Sequence, residues 1–99
     1  MQENNMINAQ ELKQLIAQQV DLVIIDVRED WERAVSQIEN SIHIPLGSLA
    51  DNIPAISKDK LIITYCAHGM RSQTASAILM QAGFQNVKSL LGGLAAYGE

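Results

Sequence analysis

Two five-residue runs, Leu22-Val23-Ile24-Ile25-Asp26 and Leu61-Ile62-Ile63-Thr64-Tyr65, constrain the fold of this chain more than any other feature. The first is apolar without interruption until its final carboxylate. A strand with one wet face alternates apolar and polar residues, so an unbroken run marks a strand covered on both faces, as in parallel sheets flanked by helices. Around these runs the apolar spacing becomes helical. Asn8, with Glu11 three positions on, reads as an N-cap and its box partner for a helix buried along Leu12, Leu15 and Ile16. Ala75, Ile78, Leu79 and Ala82 share one face of a helix expected over Ser72 to Gln81. Shorter elements are expected at Met6-Ile7 (edge strand), Asp30 to Ala34 (helix), Ile42 to Ile44 (a strand stopped by Pro45) and Val87 to Leu90 (strand). Ser48 is expected to cap a helix that carries Leu49 and Ile53 and is limited by Pro54, and Gly92-Gly93 reads as a turn before a terminal helix. The alternation predicts an α/β fold: a central, mostly parallel sheet of four to five strands with helices on both faces.

Composition narrows the function classes. A length of 99 residues with 47% hydrophobic content suffices for one core, so residues 1–99 are expected to form a single domain. No apolar run approaches the roughly 18 residues of a membrane span, and Met1-Gln2-Glu3-Asn4-Asn5 lacks the basic and apolar regions of a signal peptide. A single cysteine excludes an internal disulfide and fits a reduced compartment, so the expected location is cytoplasmic. A net charge of −4 offers no broad basic surface, and neither nucleic acid nor membrane is an expected partner. Asp26, Glu29, Asp30, Glu32 and Glu39 read mainly as a solvated helix face. His43, His68 and one cysteine make no recognisable zinc pattern, no Gly-rich phosphate loop is present, and no cofactor is called for.

The chemistry concentrates in Cys66-Ala67-His68-Gly69-Met70-Arg71-Ser72, a short loop leaving the second apolar run and entering a helix. A lone cysteine ending a strand is usually a small core hydrophobe. Here its neighbours supply backbone freedom (Gly69), a fixed positive charge (Arg71) and a hydroxyl (Ser72), none of which a core requires. Backbone N–H groups at such a turn, with the positive end of the helix, favour an anion and bias the thiol toward thiolate. Asp26 and Arg28 end the neighbouring strand, and in an open parallel sheet the crevice lies beyond such carboxyl ends.

This chain resembles the single-domain rhodanese-like sulfurtransferases, whose active loop reads Cys-x-x-Gly-x-Arg-Ser between a strand and a helix. Asp26-Val27-Arg28, Ile42-His43-Ile44-Pro45-Leu46 and Gly83-Phe84-Gln85-Asn86-Val87 followed by Leu90-Leu91-Gly92-Gly93 are similar to further family segments in the same order. The resemblance implies a sulfurtransferase in which Cys66 accepts a sulfane sulfur from a small donor such as thiosulfate or a persulfide. Cys66 would hold that sulfur as a persulfide and pass it to a thiophilic acceptor, a thiol or a protein among the candidates. Amides from Ala67 through Ser72 are the expected donors to the sulfur. Arg71 has two readings, a ligand for the anionic donor or a brace paired with a carboxylate, the brace being preferred. Ser72 would be the first helix residue or its cap, with a hydroxyl able to support Cys66. His68 is read as an exposed, specificity-setting side chain rather than a base, and Asp26 with Arg28 as a structural pair.

Departures from the family pattern fall mainly on packing. Ser36-Gln37-Ile38-Glu39-Asn40-Ser41 replaces a Gly-His-Ile-Pro-Gly-Ala segment, with Asn40 able to take the positive φ of a turn. Arg33 stands at a usually aromatic position whose space Trp31 is expected to fill in part, and Tyr97 stands where a Trp often closes the last helix. Met70 adds no positive charge to the loop. The rival readings are a phosphatase or arsenate reductase of related fold and a non-catalytic interaction module. Only four residues, Ala67 to Met70, separate Cys66 from Arg71, one fewer than in the phosphatase pattern, and retention of the loop residues disfavours the module.

Overall fold

In the computed structural model, which describes residues 5–98, both apolar runs are central strands. The elements in chain order are β1 (Met6–Ile7), α1 (Ala9–Ala17), β2 (Leu22–Asp26), α2 (Asp30–Val35), β3 (Ile42–His43), α3 (Leu46–Leu49), β4 (Leu61–Tyr65), α4 (Met70–Gln81), β5 (Asn86–Leu90) and α5 (Gly93–Tyr97). All strands pair in parallel, in the order β1-β5-β4-β2-β3, giving the five-stranded α/β sheet expected of the resemblance. Met1 to Asn4, which carry most of the opening read for a signal peptide, lie outside the described residues. Among the described residues no helix is long and apolar enough to cross a membrane.

Alternate side chains of the central strands supply two cores. Ile25, Val27, Ile62 and Val87 pack with Leu49 of α3 and Ala75 and Leu79 of α4 on one face. Ile7, Ile24, Ile63, Tyr65 and Leu90 pack with Leu12 of α1 and Leu94 of α5 on the other. Burying each large aliphatic side chain contributes about 1.5–3 kcal/mol, which is why neither run tolerates a polar face. Register then sets the site. Leu22 pairs with Leu61 and Asp26 with Tyr65, so β2 and β4 end level, and the Val27 amide donates to the Tyr65 carbonyl at 3.0 Å. From these ends the chain turns opposite ways, β2 toward β3 and β4 toward β5, which opens a crevice between them.

Several local expectations are met: the Asn8–Glu11 capping box closes in both directions, at 2.7 and 2.9 Å, and Asn40 has φ +68°. Others are corrected. Ser48 does not cap α3; that helix begins at Leu46 after Pro45, and the Ser48 hydroxyl turns back to donate to the Pro45 carbonyl. Ile53 lies beyond the helix, which already ends at Leu49. Trp31 fills no space near position 33, being 70% exposed. Arg33 instead turns inward, its guanidinium donating to Asp26 Oδ2 at 3.1 Å, Ser41 Oγ at 3.0 Å and the Ser41 carbonyl at 2.7 Å. A planar fork of donors replaces an aromatic ring here because a buried carboxylate and a loop carbonyl lie within its reach. Tyr97 does occupy the closing helix, with the Lys13 ammonium 4.7 Å over its ring.

Candidate active site

Helix α4 begins two residues earlier than its apolar spacing predicts, because Gly69 at φ +104° is its N-cap. Ser72 is therefore neither the first helix residue nor the cap. It sits in the first turn, where its amide is one of the unpaired N–H groups of a helix start. That amide points at Cys66 Sγ from 3.3 Å, and the Gly69 amide does so from 3.1 Å. The Ser72 hydroxyl lies 3.6 Å from the sulfur. Burial pushes the Cys66 thiol up; the Ser72 hydroxyl and the amides of Ser72, Gly69 and His68 outweigh it and leave the thiol below its ordinary value. The loop thus stabilises an anion on the sulfur of Cys66, itself only 1% exposed, at the floor of the crevice.

Arg71 is tied to α2. Its guanidinium forms a bidentate pair with Glu32 of α2, at 2.8 and 2.9 Å, so the carboxylate-paired reading describes its position. Glu32 also accepts the Glu29 amide at 2.8 Å, closing the N-terminus of α2, and is not part of a solvated face. The Arg71 side chain lowers the Glu32 carboxyl from 4.5 to about 2, with burial opposing and the Glu29 amide assisting. Because the folded value is depressed, this stabilisation is complete above pH 4.5 and is lost as pH falls through about 2. Glu32→Gln is expected to lower stability by about 1 kcal/mol at neutral pH, with Arg71 partly open to solvent, and to erase that share of the acid sensitivity. Urea melts at neutral and low pH measure this; an unchanged midpoint at neutral pH would show the pair to be energetically idle.

Asp26 and Arg28 form an ion pair, in a larger network than expected. Asp26 is fully buried and accepts from Arg28 Nε and Nη2, both at 2.9 Å, from the Arg28 amide at 3.0 Å and from Tyr65 Oη at 3.0 Å. Burial raises the Asp26 carboxyl, but the Arg28 side chain and amide, with Tyr65, bring it below its usual range. Arg28 reaches on to the Ser36 carbonyl at 2.6 Å, and Tyr65 Oη accepts the Ile38 amide at 3.0 Å. Every acceptor in this buried cluster has a donor, so the ends of β2 and β4 and the 36–41 loop are locked together.

The Gly92-Gly93 turn does more than precede a helix. Leu94 and Ala95 at the start of α5 donate to the carbonyls of Cys66 and Ala67 at 2.8 and 3.1 Å. A Cβ on Gly93 would lie 2.5 Å from the Cys66 carbonyl oxygen. A cleft of about 250 Å³ beside the loop is lined by Arg28, Ser36, Ala67, His68, Leu94 and Ala95, with His68 exposed. Met70 projects into solvent, 80% exposed. Glu32, Arg33, Gly93 and Ser89, whose Oγ lies 2.6 Å from Ser72 Oγ, are site-supporting residues that sequence reasoning missed. For Glu32 the signal was available: Glu29 and Glu32 stand at capping-box spacing.

A parallel sheet presenting a cysteine in a ring of amides at its carboxyl edge defines an α/β protein with a thiolate-stabilising loop. Residues 8–99 match the Rhodanese-like domain, and the chain belongs to that family. It is 33% identical over 95 residues to a sulfurtransferase of Allochromatium vinosum, spanning 96% of this chain and 89% of that protein. The thiosulfate sulfurtransferase GlpE of Coxiella burnetii is 36% identical over 73 residues, covering 74% of this chain and 68% of its own. The crystal structure of a rhodanese-like domain protein from Staphylococcus aureus matches with a TM-score of 0.88 at 32% identity, over 96% of this chain and 92% of that one. These relatives make the family one of sulfurtransferases.

Proposed function

We propose that the protein is a sulfurtransferase that carries a sulfane sulfur on Cys66. The thiolate attacks the outer sulfur of a donor, thiosulfate or a persulfide; the new S–S bond forms as the donor's own bond to that sulfur breaks, releasing sulfite or a thiolate. An acceptor thiol or cyanide then removes the outer sulfur and returns Cys66 as thiolate. The convergence of the Gly69 and Ser72 amides on Cys66 Sγ carries this reading, since it favours both the thiolate and the negative charge of a persulfide. Ala67, His68 and Met70 shape the mouth, while Arg71, through Glu32, and Asp26 with Arg28 hold the loop in place. A reduced cytoplasm suits the one exchangeable thiol. A phosphatase would need the loop arginine to grip the oxyanion, and Arg71 is engaged by Glu32 instead. Mass spectrometry of the purified protein after treatment with thiosulfate and, separately, with a low-molecular-weight persulfide tests the proposal: a gain of one sulfur on the Cys66 peptide, removed by cyanide, is expected, and a protein that acquires it from neither donor is no sulfurtransferase.

Donor preference follows from charge. Arg28, Arg33 and Arg71 are all paired with carboxylates, so the mouth offers a dianion such as thiosulfate mainly amides and the helix start. Adding a cation at the exposed Met70 should help. Met70→Arg is expected to lower the KM for thiosulfate by about 3- to 10-fold with kcat nearly unchanged, an advantage that fades in high salt. Steady-state kinetics at two ionic strengths check this, and equal KM values at low salt would show that loop charge does not select the donor.

A further inference from the structure

We propose that Ser89 is a positioning residue for the Cys66 thiolate, acting through the hydroxyl of Ser72. Ser89 lies on β5, is 1% exposed, and places its Oγ 2.6 Å from Ser72 Oγ. Ser72 is fully buried, and its Oγ is also 3.6 Å from Cys66 Sγ and 3.3 Å from the Gly69 carbonyl oxygen. Each hydroxyl has one proton to donate and can accept from others. Either hydroxyl can donate across this contact; because Ser72 is the hydrogen-bond partner of the Ser89 hydroxyl among the described residues, we assign the donor role to Ser89. That direction leaves the Ser72 proton free.

The arrangement then has two states. With Cys66 as thiol, the S–H donates to Ser72 Oγ and the Ser72 proton turns to the Gly69 carbonyl. With Cys66 as thiolate, the Ser72 proton turns to the sulfur, and Ser72 Oγ loses the S–H donor. Ser89 matters most in this second state, where it supplies the donor that a buried Ser72 oxygen would otherwise lack. A hydroxyl that accepts a hydrogen bond is also a stronger donor, so Ser89 strengthens the bond from Ser72 to the sulfur. Ser89 therefore favours the thiolate over the thiol without touching the sulfur.

The inference rests on Cys66 being the reacting thiol, but its test needs no sulfur transfer. The charged and titratable groups around the loop are Arg71 from α4, Glu29 and Glu32 from α2, Asp26 and Arg28 at the end of β2, and His68. None of them hydrogen-bonds to Ser89 among the described residues, so truncating Ser89 leaves each in place. With one cysteine in the chain, the ultraviolet absorbance of the thiolate reports Cys66 alone. Ser89→Ala is expected to raise its titration midpoint by roughly half to one pH unit. Ser72→Ala should raise it as well, and adding Ser89→Ala to Ser72→Ala should produce no further shift. Ser89→Thr, which keeps the hydroxyl, should titrate with the wild type. An unshifted midpoint in Ser89→Ala, an equal shift with and without the Ser72 hydroxyl, or a Thr variant as displaced as the Ala variant would each overturn the inference. A persulfide that fails to form while these shifts appear would count against sulfur transfer and leave the role of Ser89 intact.

Discussion

Cys66→Ser is expected to abolish persulfide formation and reduce sulfur transfer by at least about 1,000-fold while the protein stays folded. A hydroxyl at neutral pH is almost entirely protonated and a far weaker nucleophile than a thiolate near its pKa. The serine oxygen can still accept from the Gly69 and Ser72 amides that now meet the sulfur, so the loop keeps its shape. Alanine is the harsher change. It leaves those two amides without their acceptor, at about 1–3 kcal/mol for each group that water cannot reach. Single-turnover transfer from thiosulfate to cyanide, with thermal melts of both variants, reads out chemistry and fold separately. Substantial transfer by Cys66→Ser would remove Cys66 from the mechanism.

Gly93→Ala should be the most damaging substitution outside the cysteine. Its φ of +64° disfavours any side chain, and the added Cβ would meet the Cys66 carbonyl oxygen at 2.5 Å and the Ala67 carbonyl carbon and oxygen at 2.6 Å. Backbone atoms held by two strands and a helix start cannot step aside as a flexible side chain would. Strain and overlap together are expected to cost about 3 kcal/mol or more, a fall in Tm of roughly 10–20 °C. Transfer activity should fall further than stability does, because the displaced atoms belong to the loop itself. Gly47→Ala is the control, since nothing lies within 4 Å of a Cβ added there. A Gly93→Ala protein that melts with the wild type would show that α5 can shift away from the loop.

The strands and the reacting loop were legible because their signals are local. Leu22–Asp26 and Leu61–Tyr65 declare burial on both faces, and Cys66, Gly69, Arg71 and Ser72 sit within seven positions. What escaped depends on partners distant in sequence. Glu32 and Arg71 are 39 positions apart and meet only when α2 and the start of α4 are brought together by the fold. Arg33 reads as a departure at a usually aromatic position, and its role emerges only when Asp26 and Ser41 are placed around it. Ser89, in a half-polar strand, gives no sign that its hydroxyl faces inward to Ser72. Trp31 shows the opposite failure: a large aromatic beside a gap in a pattern invites a packing role, but its position on α2 turns it to solvent. Helix ends were misplaced where a glycine or proline, not a serine, does the capping, as at Gly69 and Pro45.

The sheet order also has a kinetic consequence. β4, α4 and β5 are contiguous, so their pairing closes a short loop, whereas Met6 of β1 pairs with Ser89, more than 80 positions away. Loop closure over that separation is slow and entropically costly for a strand of two residues, which makes β1 the element expected to dock last and open first. The Ile7 carbonyl accepts the Leu91 amide at 2.8 Å, immediately before the Gly92-Gly93 turn that clamps Cys66. Fraying at the edge of the sheet therefore bears on the reacting loop through the Ile7–Leu91 hydrogen bond and through Ser89, which pairs with Met6. Local opening of β1 is expected to loosen the Gly92-Gly93 clamp on Cys66 without unfolding of the whole chain.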